Sequence, residues 1–490
     1  MRTTRRKFVG AMIATGSTLS LTRWTAAQTS QPVVRYDVAT PEGEKMLEKY
    51  ARALAKMMDK TQIAESDPKS WTFQWYTHAV AGSIQNEIHR VYQSVPASDP
   101  KRLLALATWS TCQAHGMNGL PQEERMFLPW HRMYVYYFER IIRSVLEDQT
   151  FTLPYWDYTT PGKRAIPKQF RMPNDPLYKV LYRANRNNGE NQRAKVNEGQ
   201  PIDLDRSTTP LTLAVLGKPK YESDEAGTGF NEELDGNLHG AVHVLTGNPQ
   251  NMGSPPWAAR DPIFWLHHCN IDRLWAAWNA GGRKNPEGTF LTQSFAFADE
   301  NGQRVEATVR DFIDLEKIKV GTYRYDKLPP VPPIPAVAAD EAVASNGPVT
   351  IFARQTQPQP VRLAASGATS VPLMSIAVPI ATHVENASGR SIFLLLQNLN
   401  AAAQPNVLYD VFVDFPNSPG TTPVGQINFF DATGAQSQGG RISSRRFTFD
   451  ITQLMRSSAA IGTPSVRLVA DGQAVASANA TVGSVALARR

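Results

Sequence analysis

Asp261-Pro262-Ile263-Phe264-Trp265-Leu266-His267-His268-Cys269-Asn270-Ile271-Asp272-Arg273 puts two adjacent histidines inside an aromatic, mostly apolar run. The helical spacing continues to Trp278, so Ile263 to Trp278 is predicted as a buried helix. Just upstream, Leu238-His239-Gly240-Ala241-Val242-His243 carries histidines four apart, which on a helix project from one face and can chelate one ion. Asn231 to Leu245 is the helix predicted to carry them. A zinc protease needs Glu directly after the first histidine as its base, and Gly240 stands there, which argues against a zinc hydrolase. A third segment, Phe127-Leu128-Pro129-Trp130-His131-Arg132, repeats the histidine in an apolar helix, with 130–147 the predicted span. One histidine on an apolar face is most simply a core residue. Three such segments point instead to imidazole ligands in a dry aromatic pocket, a donor set that suits copper.

The rest of the chain frames this cluster. Eight of nine histidines precede residue 270, which places any metal chemistry in the first part of the chain. Leu47, Tyr50, Leu54 and Met57 or Met58 recur at helical spacing and predict a helix over 42–60. Lys327-Leu328-Pro329-Pro330-Val331-Pro332-Pro333-Ile334-Pro335 begins a stiff linker, taken as 328–345. Beyond it, Ser391–Leu396, Val407–Phe415, Ile427–Phe430, Arg446–Ile451 and Ser465–Leu468 are short β-type runs separated by Gly, Asn, Pro and Ser. The expected fold is a mainly α, helical-bundle core over 28–327, followed by an all-β, sandwich-like C-terminal domain over 346–490. The last twenty residues are small and polar and are expected to be weakly ordered.

Thr4-Arg5-Arg6-Lys7-Phe8-Val9, a mildly apolar stretch and small residues at Thr25, Ala26 and Ala27 read as a Tat-type signal over 1–27. Export to the periplasm or beyond follows as an expectation. The net charge of +7 is largely this segment's. It holds Arg2, Arg5, Arg6, Lys7 and Arg23 and no acid, so without it 46 basic residues face 44 acidic ones. That balance argues against a nucleic-acid or membrane-surface partner. Two cysteines, Cys112 and Cys269, provide no disulfide framework.

The motifs H-x-x-x-H and D-P-x-F-x-x-H-H-x-N-x-D-R, matched at 239–243 and 261–273, resemble the tyrosinase, catechol oxidase and hemocyanin family of type-3 copper proteins. The resemblance covers roughly 35–327, with a weaker one to the C-terminal domain of plant-like polyphenol oxidases. It implies two copper ions: His239, His243 and His268 on the second, with His267 behind them. On the first it implies His131, from F-L-P-W-H-R-x-Y, and His78, from Asp67–Trp71 and Tyr76-Thr77-His78. The family's H-x8-H spacing falls on Gln122, so the remaining ligand is read as His115 in Cys112-Gln113-Ala114-His115-Gly116, with His89 as the alternative. Some relatives join a nearby cysteine to this histidine; Cys112 is read either so or as a plain buried thiol. Asp272 and Arg273 are read as structural.

The implied activity is oxidation of phenols by O2: o-diphenols to o-quinones, with weaker hydroxylation of monophenols. Three positions bear on that balance. Many strong monophenolases carry Asn where Gly240 stands. The acid that would help it hold a water is Asp235, with Glu233 and Glu232 as alternatives. Pro255 stands where plant catechol oxidases place a bulky aromatic, which predicts a more open mouth. The implied partners are O2 and small phenols, with a copper-delivering protein as an optional third. The C-terminal domain is read either as a shield over the copper mouth or as an inert stabilising domain. A hemocyanin-type O2 carrier and a specialised o-aminophenol oxidase are the alternative functions.

Overall fold

The computed structural model describes residues 33–113, 124–190, 194–206, 208–224, 229–318, 322–333, 349–385, 391–416, 418–433, 445–458 and 462–490. The signal segment and most of the linker lie outside these residues.

The N-terminal part is helical and built around two long helices. Helix α1 (Pro41–Met58) starts where Thr40 accepts from the Gly43 amide with Pro41 in the first turn, and it buries Leu47, Tyr50, Leu54 and Met57, the predicted stripe. Helix α2 (Trp71–His78), capped by Ser70, is followed by α3 (Ile84–Val91) and α4 (Pro100–Thr108). Helix α5 (Phe127–Leu146) is buried along almost all its length. A short α6 (Phe230–Glu233), a π-helical stretch Leu234–His239 and α7 (Gly240–Thr246) then form one run. The expected single helix over 231–245 is thus interrupted by a wider turn that ends on His239, a feature common at functional sites. Pro255–Ala258 (α8) leads into α9 (Ile263–Ala280), the helix of the opening motif.

Helices α5 and α9 are locked by stacked Phe138 and Trp265 rings and by a buried ion network. Arg35 donates to Glu139 (3.0 Å) and Asp272 (3.1 Å), and Arg132 donates to Asp272 (2.5 Å). Arg273 pairs with Asp157 (3.3 Å) and Asn270 (3.0 Å), so both motif-end charges contact structural partners. Arg186 clasps Asp261 through two contacts of 2.8 and 2.7 Å, which fixes the start of α9. Strands β1 (Val33–Arg35), β2 (Ser294–Ala298), β3 (Arg304–Thr308) and β4 (Tyr323–Tyr325) pair as β1 with β4 and β2 with β3 against this core.

The C-terminal part is all β, as expected, and among the described residues its strands form a nine-stranded sheet. Its strands are β5 (Thr350–Gln355), β6 (Val361–Arg362), β7 (Ala368–Ser375), β8 (Ile392–Asn400), β9 (Tyr409–Asp414), β10 (Gly425–Ile427), β11 (Phe447–Asp450), β12 (Ser465–Ala470) and β13 (Thr481–Arg489). The order is β10-β9-β12-β7-β5-β13-β8-β11, with β6 also on β13. The last residues correct the expectation of weak order: β13 pairs with β5, β6 and β8, with Val482, Val485 and Leu487 fully buried. Ala486 and Ala488 are buried there although their small side chains give no strand signal in the composition. The predicted strand Ile427–Phe430 also differs, ending at Ile427. The residues after it leave the sheet, and Phe430 joins the hydrophobic core of the helical part instead of that of the sheet.

Candidate metal centre

Six buried histidines from four segments meet between α2, α5, α7 and α9. His78 ends α2, where its Nδ1 lies 3.1 Å from the Pro255 carbonyl. His131, one turn into α5, sets Nδ1 2.8 Å from the Phe127 carbonyl. His239 closes the π-helical stretch with Nδ1 3.1 Å from the Asp235 carbonyl and 3.0 Å from the Asp235 carboxylate. His243 lies on α7 with Nδ1 2.7 Å from the Met252 carbonyl. An acceptor on Nδ1 fixes each ring and leaves Nε2 as the donor atom, the arrangement that orients metal-binding imidazoles.

These Nε2 atoms converge. His239 and His243 bring theirs within 3.1 Å of each other, and Cys112 Sγ lies 3.6 Å from that of His131. His239, His243, His267 and His268 form one group of potential ligands, and His78, Cys112 and His131 form another. The groups abut where the His131 and His268 rings stack in parallel at 4.1 Å. Burial, followed by the repulsion of neighbouring imidazoles, holds His243, His267 and His268 well below the usual histidine range. They are therefore neutral and available as donors, and neither nitrogen of His268 has a hydrogen-bond partner. Buried polar atoms without partners are uncommon, and a metal ion would satisfy them. Phe127 and Phe264 pack on the rings and keep the pocket apolar.

The family comparison bears on the same segments. Residues 68–281 match the model described as the common central domain of tyrosinase, and 286–335 match the polyphenol oxidase middle domain. The chain belongs to the tyrosinase and polyphenol oxidase family. Aureusidin synthase of Antirrhinum majus is 35% identical over 225 residues, covering 39% of either chain. Tyrosinase HcTyr1 of a Hahella strain is 32% identical over 283 residues, 54% of this chain and 57% of that one. The chain thus spans well under two thirds of these relatives. In fold, it superposes on a latent aurone synthase with a TM-score of 0.59 at 20% identity over 94% of this chain and 89% of that one, and on latent apple tyrosinase with a TM-score of 0.58 at 20% identity over 94% and 97%. Helical core and β-rich C-terminal domain therefore recur together in this family's architecture.

Of the residues singled out from the sequence, the structure brings His78, His131, His239, His243, His267 and His268 together. His115 lies outside the described residues. His89 is exposed on α3, away from the buried set. Asp235 is buried against His239, whereas Glu233 takes a hydrogen bond from Asn237 and lies 3.5 Å from Lys218. Glu232 accepts from the Ser223 amide. Pro255 contributes its carbonyl to His78.

Three site residues escaped sequence reasoning because they arrive from the other domain. The Phe430 ring stacks on His243 at 4.0 Å and 12°, with its centroid 5.5 Å from that of His239. A more open mouth was expected at Pro255; a ring from the C-terminal domain stands over the second group instead. Asn428 donates to the Gly236 carbonyl at 2.7 Å, and Arg445 reaches Asp235 at 3.1 Å. The Phe429-Phe430 pair read as part of a strand, and no local signal distinguishes an inserted aromatic from a core one.

Proposed function

We propose that this chain is a copper-dependent phenol oxidase that uses O2 to turn o-diphenols into o-quinones and hydroxylates monophenols more weakly. The observation carrying this reading is the pair of abutting groups of buried imidazoles, with His78, His131, His239 and His243 each held by an acceptor on Nδ1. In this reading His78, His115 and His131 hold one copper ion, and His239, His243 and His268 hold the other. A copper pair supplies O2 with two electrons at once, which one cuprous ion does not.

The chain's own residues do the rest. Carbonyls of Phe127, Pro255 and Met252 hold the imidazole Nδ1 protons and set ring orientation. The Asp235 carbonyl does the same for His239, with one carboxylate oxygen of Asp235 3.0 Å from the same nitrogen. Phe127 and Phe264 keep water from the donor atoms. Phe430 lies against His243 in the kind of face-to-face contact that a phenol ring would make, so substrate must displace it. The seated C-terminal domain is then a shield, and the proline-rich linker is the place to cut it loose.

The weak hydroxylation follows from Gly240 and the acids around it. Glycine offers no amide to hold a water, Asp235 is engaged by His239 and Arg445, and Glu233 by Asn237 and Lys218. Residues 1–27 are proposed as a Tat-type export signal; within the described residues no helix is long and apolar enough to cross a membrane.

The test compares turnover of catechol and tyramine by the copper-loaded chain after it has been cut in the proline-rich linker. Fast quinone formation from catechol with slow, lag-prone turnover of tyramine is expected. Equal kcat on the two would refute the ordering, and no oxidation of either would refute the oxidase.

A further inference from the structure

Arg445 enters β11 with its guanidinium between two carboxylates from different domains. Nη2 touches Asp431 of its own domain, while Nη1 lies 3.1 Å from Asp235 Oδ2 of the helical core. The side chains of all three are buried, at 6%, 1% and 0% exposure. The other oxygen of Asp235 stands 3.0 Å from His239 Nδ1. Two successive polar contacts therefore run from the C-terminal domain to a proposed ligand of the second copper.

The backbone is shaped to allow this approach. Asn428 bonds the Gly236 carbonyl, and a Cβ placed on Gly240 would come within 2.6 Å of Asn428 Oδ1. Gly240 thus makes room for the seated domain, a reason for glycine there that is independent of substrate preference.

A carboxylate on Nδ1 makes an imidazole a stronger metal donor, and removing such support changes metal affinity by about 10–100-fold. A cation on the same carboxylate acts in the opposite sense, because it draws the negative charge away from the ring. In a buried site that effect is screened little.

We propose that Arg445 is a positioning residue for the second copper: the seated C-terminal domain covers the site with Phe430 and, through Arg445 and Asp235, also loosens the grip of His239 on the ion. By linkage, an ion held there weakens the seat of the domain to the same degree. The inference rests on reading His239, His243 and His268 as copper ligands.

The test uses the full copper-loaded chain, equilibrated with graded chelator, with retained copper measured by metal analysis. The parent's copper content comes first. Fewer than two ions per chain overturns the ligand reading and this inference with it. With two ions present, Arg445→Gln is expected to need about tenfold more chelator to lose the second ion. Arg445→Lys keeps the charge and is expected to match the parent. Asp431→Asn, which leaves more of the guanidinium to Asp235, is expected to move the midpoint the other way, and it serves if Arg445→Gln does not fold. Parent-like midpoints in both Arg445→Gln and Asp431→Asn overturn the inference alone.

Discussion

Phe430→Ala in the uncut chain separates a shield from an inert domain. The ring is 1% exposed, stacks on His243 at 4.0 Å and belongs to the hydrophobic core of the helical part. Truncating a buried phenylalanine costs about 3–5 kcal/mol. Because the contact crosses between domains, that cost falls mainly on seating the C-terminal domain and little on the sheet's own core. At about 1.4 kcal/mol per factor of ten, the lower figure raises the uncovered population roughly a hundredfold. The rate of catechol oxidation by uncut Phe430→Ala, followed as O2 uptake at subsaturating catechol, is expected to rise by up to that factor. It levels off once the uncovered form dominates. Phe429 is the control, since its ring is buried in the sheet's core and Phe429→Ala is expected to loosen the domain itself. A folded Phe430→Ala with the parent's rate would refute the shield.

His243→Ala is expected to lower copper from two ions per chain to one by metal analysis; retention of both would remove His243 from the ligand set. Arg186→Met leaves the fully buried Asp261 without its two-contact partner, and loss of one member of such a pair costs about 3–5 kcal/mol. A thermal midpoint equal to the parent's would contradict that role. Burial, and then the charge of Glu124, raises Glu232 from 4.5 to about 7. Its neutral form is therefore favoured in the fold, so the stability it contributes is full below pH 4.5 and is lost as pH rises through about 7. Glu232→Gln is expected to gain in Tm on the parent between pH 5 and pH 8, and an equal difference at both would refute the shift.

Much of the helical core was legible because its signals are local. The stripe Leu47, Tyr50, Leu54, Met57 and the paired histidines of 239–243 repeat at helical spacing, and burial follows that spacing. The π-helical stretch before His239 was not legible, since Leu234–His239 carries the same residue types as an α-helix and packing decides the extra residue in the turn. Strand β13 was missed for a related reason: its small residues are weak strand formers alone, and pairing with β5 and β8 makes them a strand. Phe430 and Arg445 are long-range contacts, nearly two hundred residues or more from the histidines they affect. Only the docking of one domain on the other gives them meaning.

The most direct test of the central claim is copper content of the purified chain, followed in the same sample by hydrogen peroxide and near-ultraviolet absorption. Two ions per chain and a strong new band are expected from a coupled copper pair. One ion or none, or two ions without the band, would contradict the dinuclear centre and the oxidase chemistry built on it.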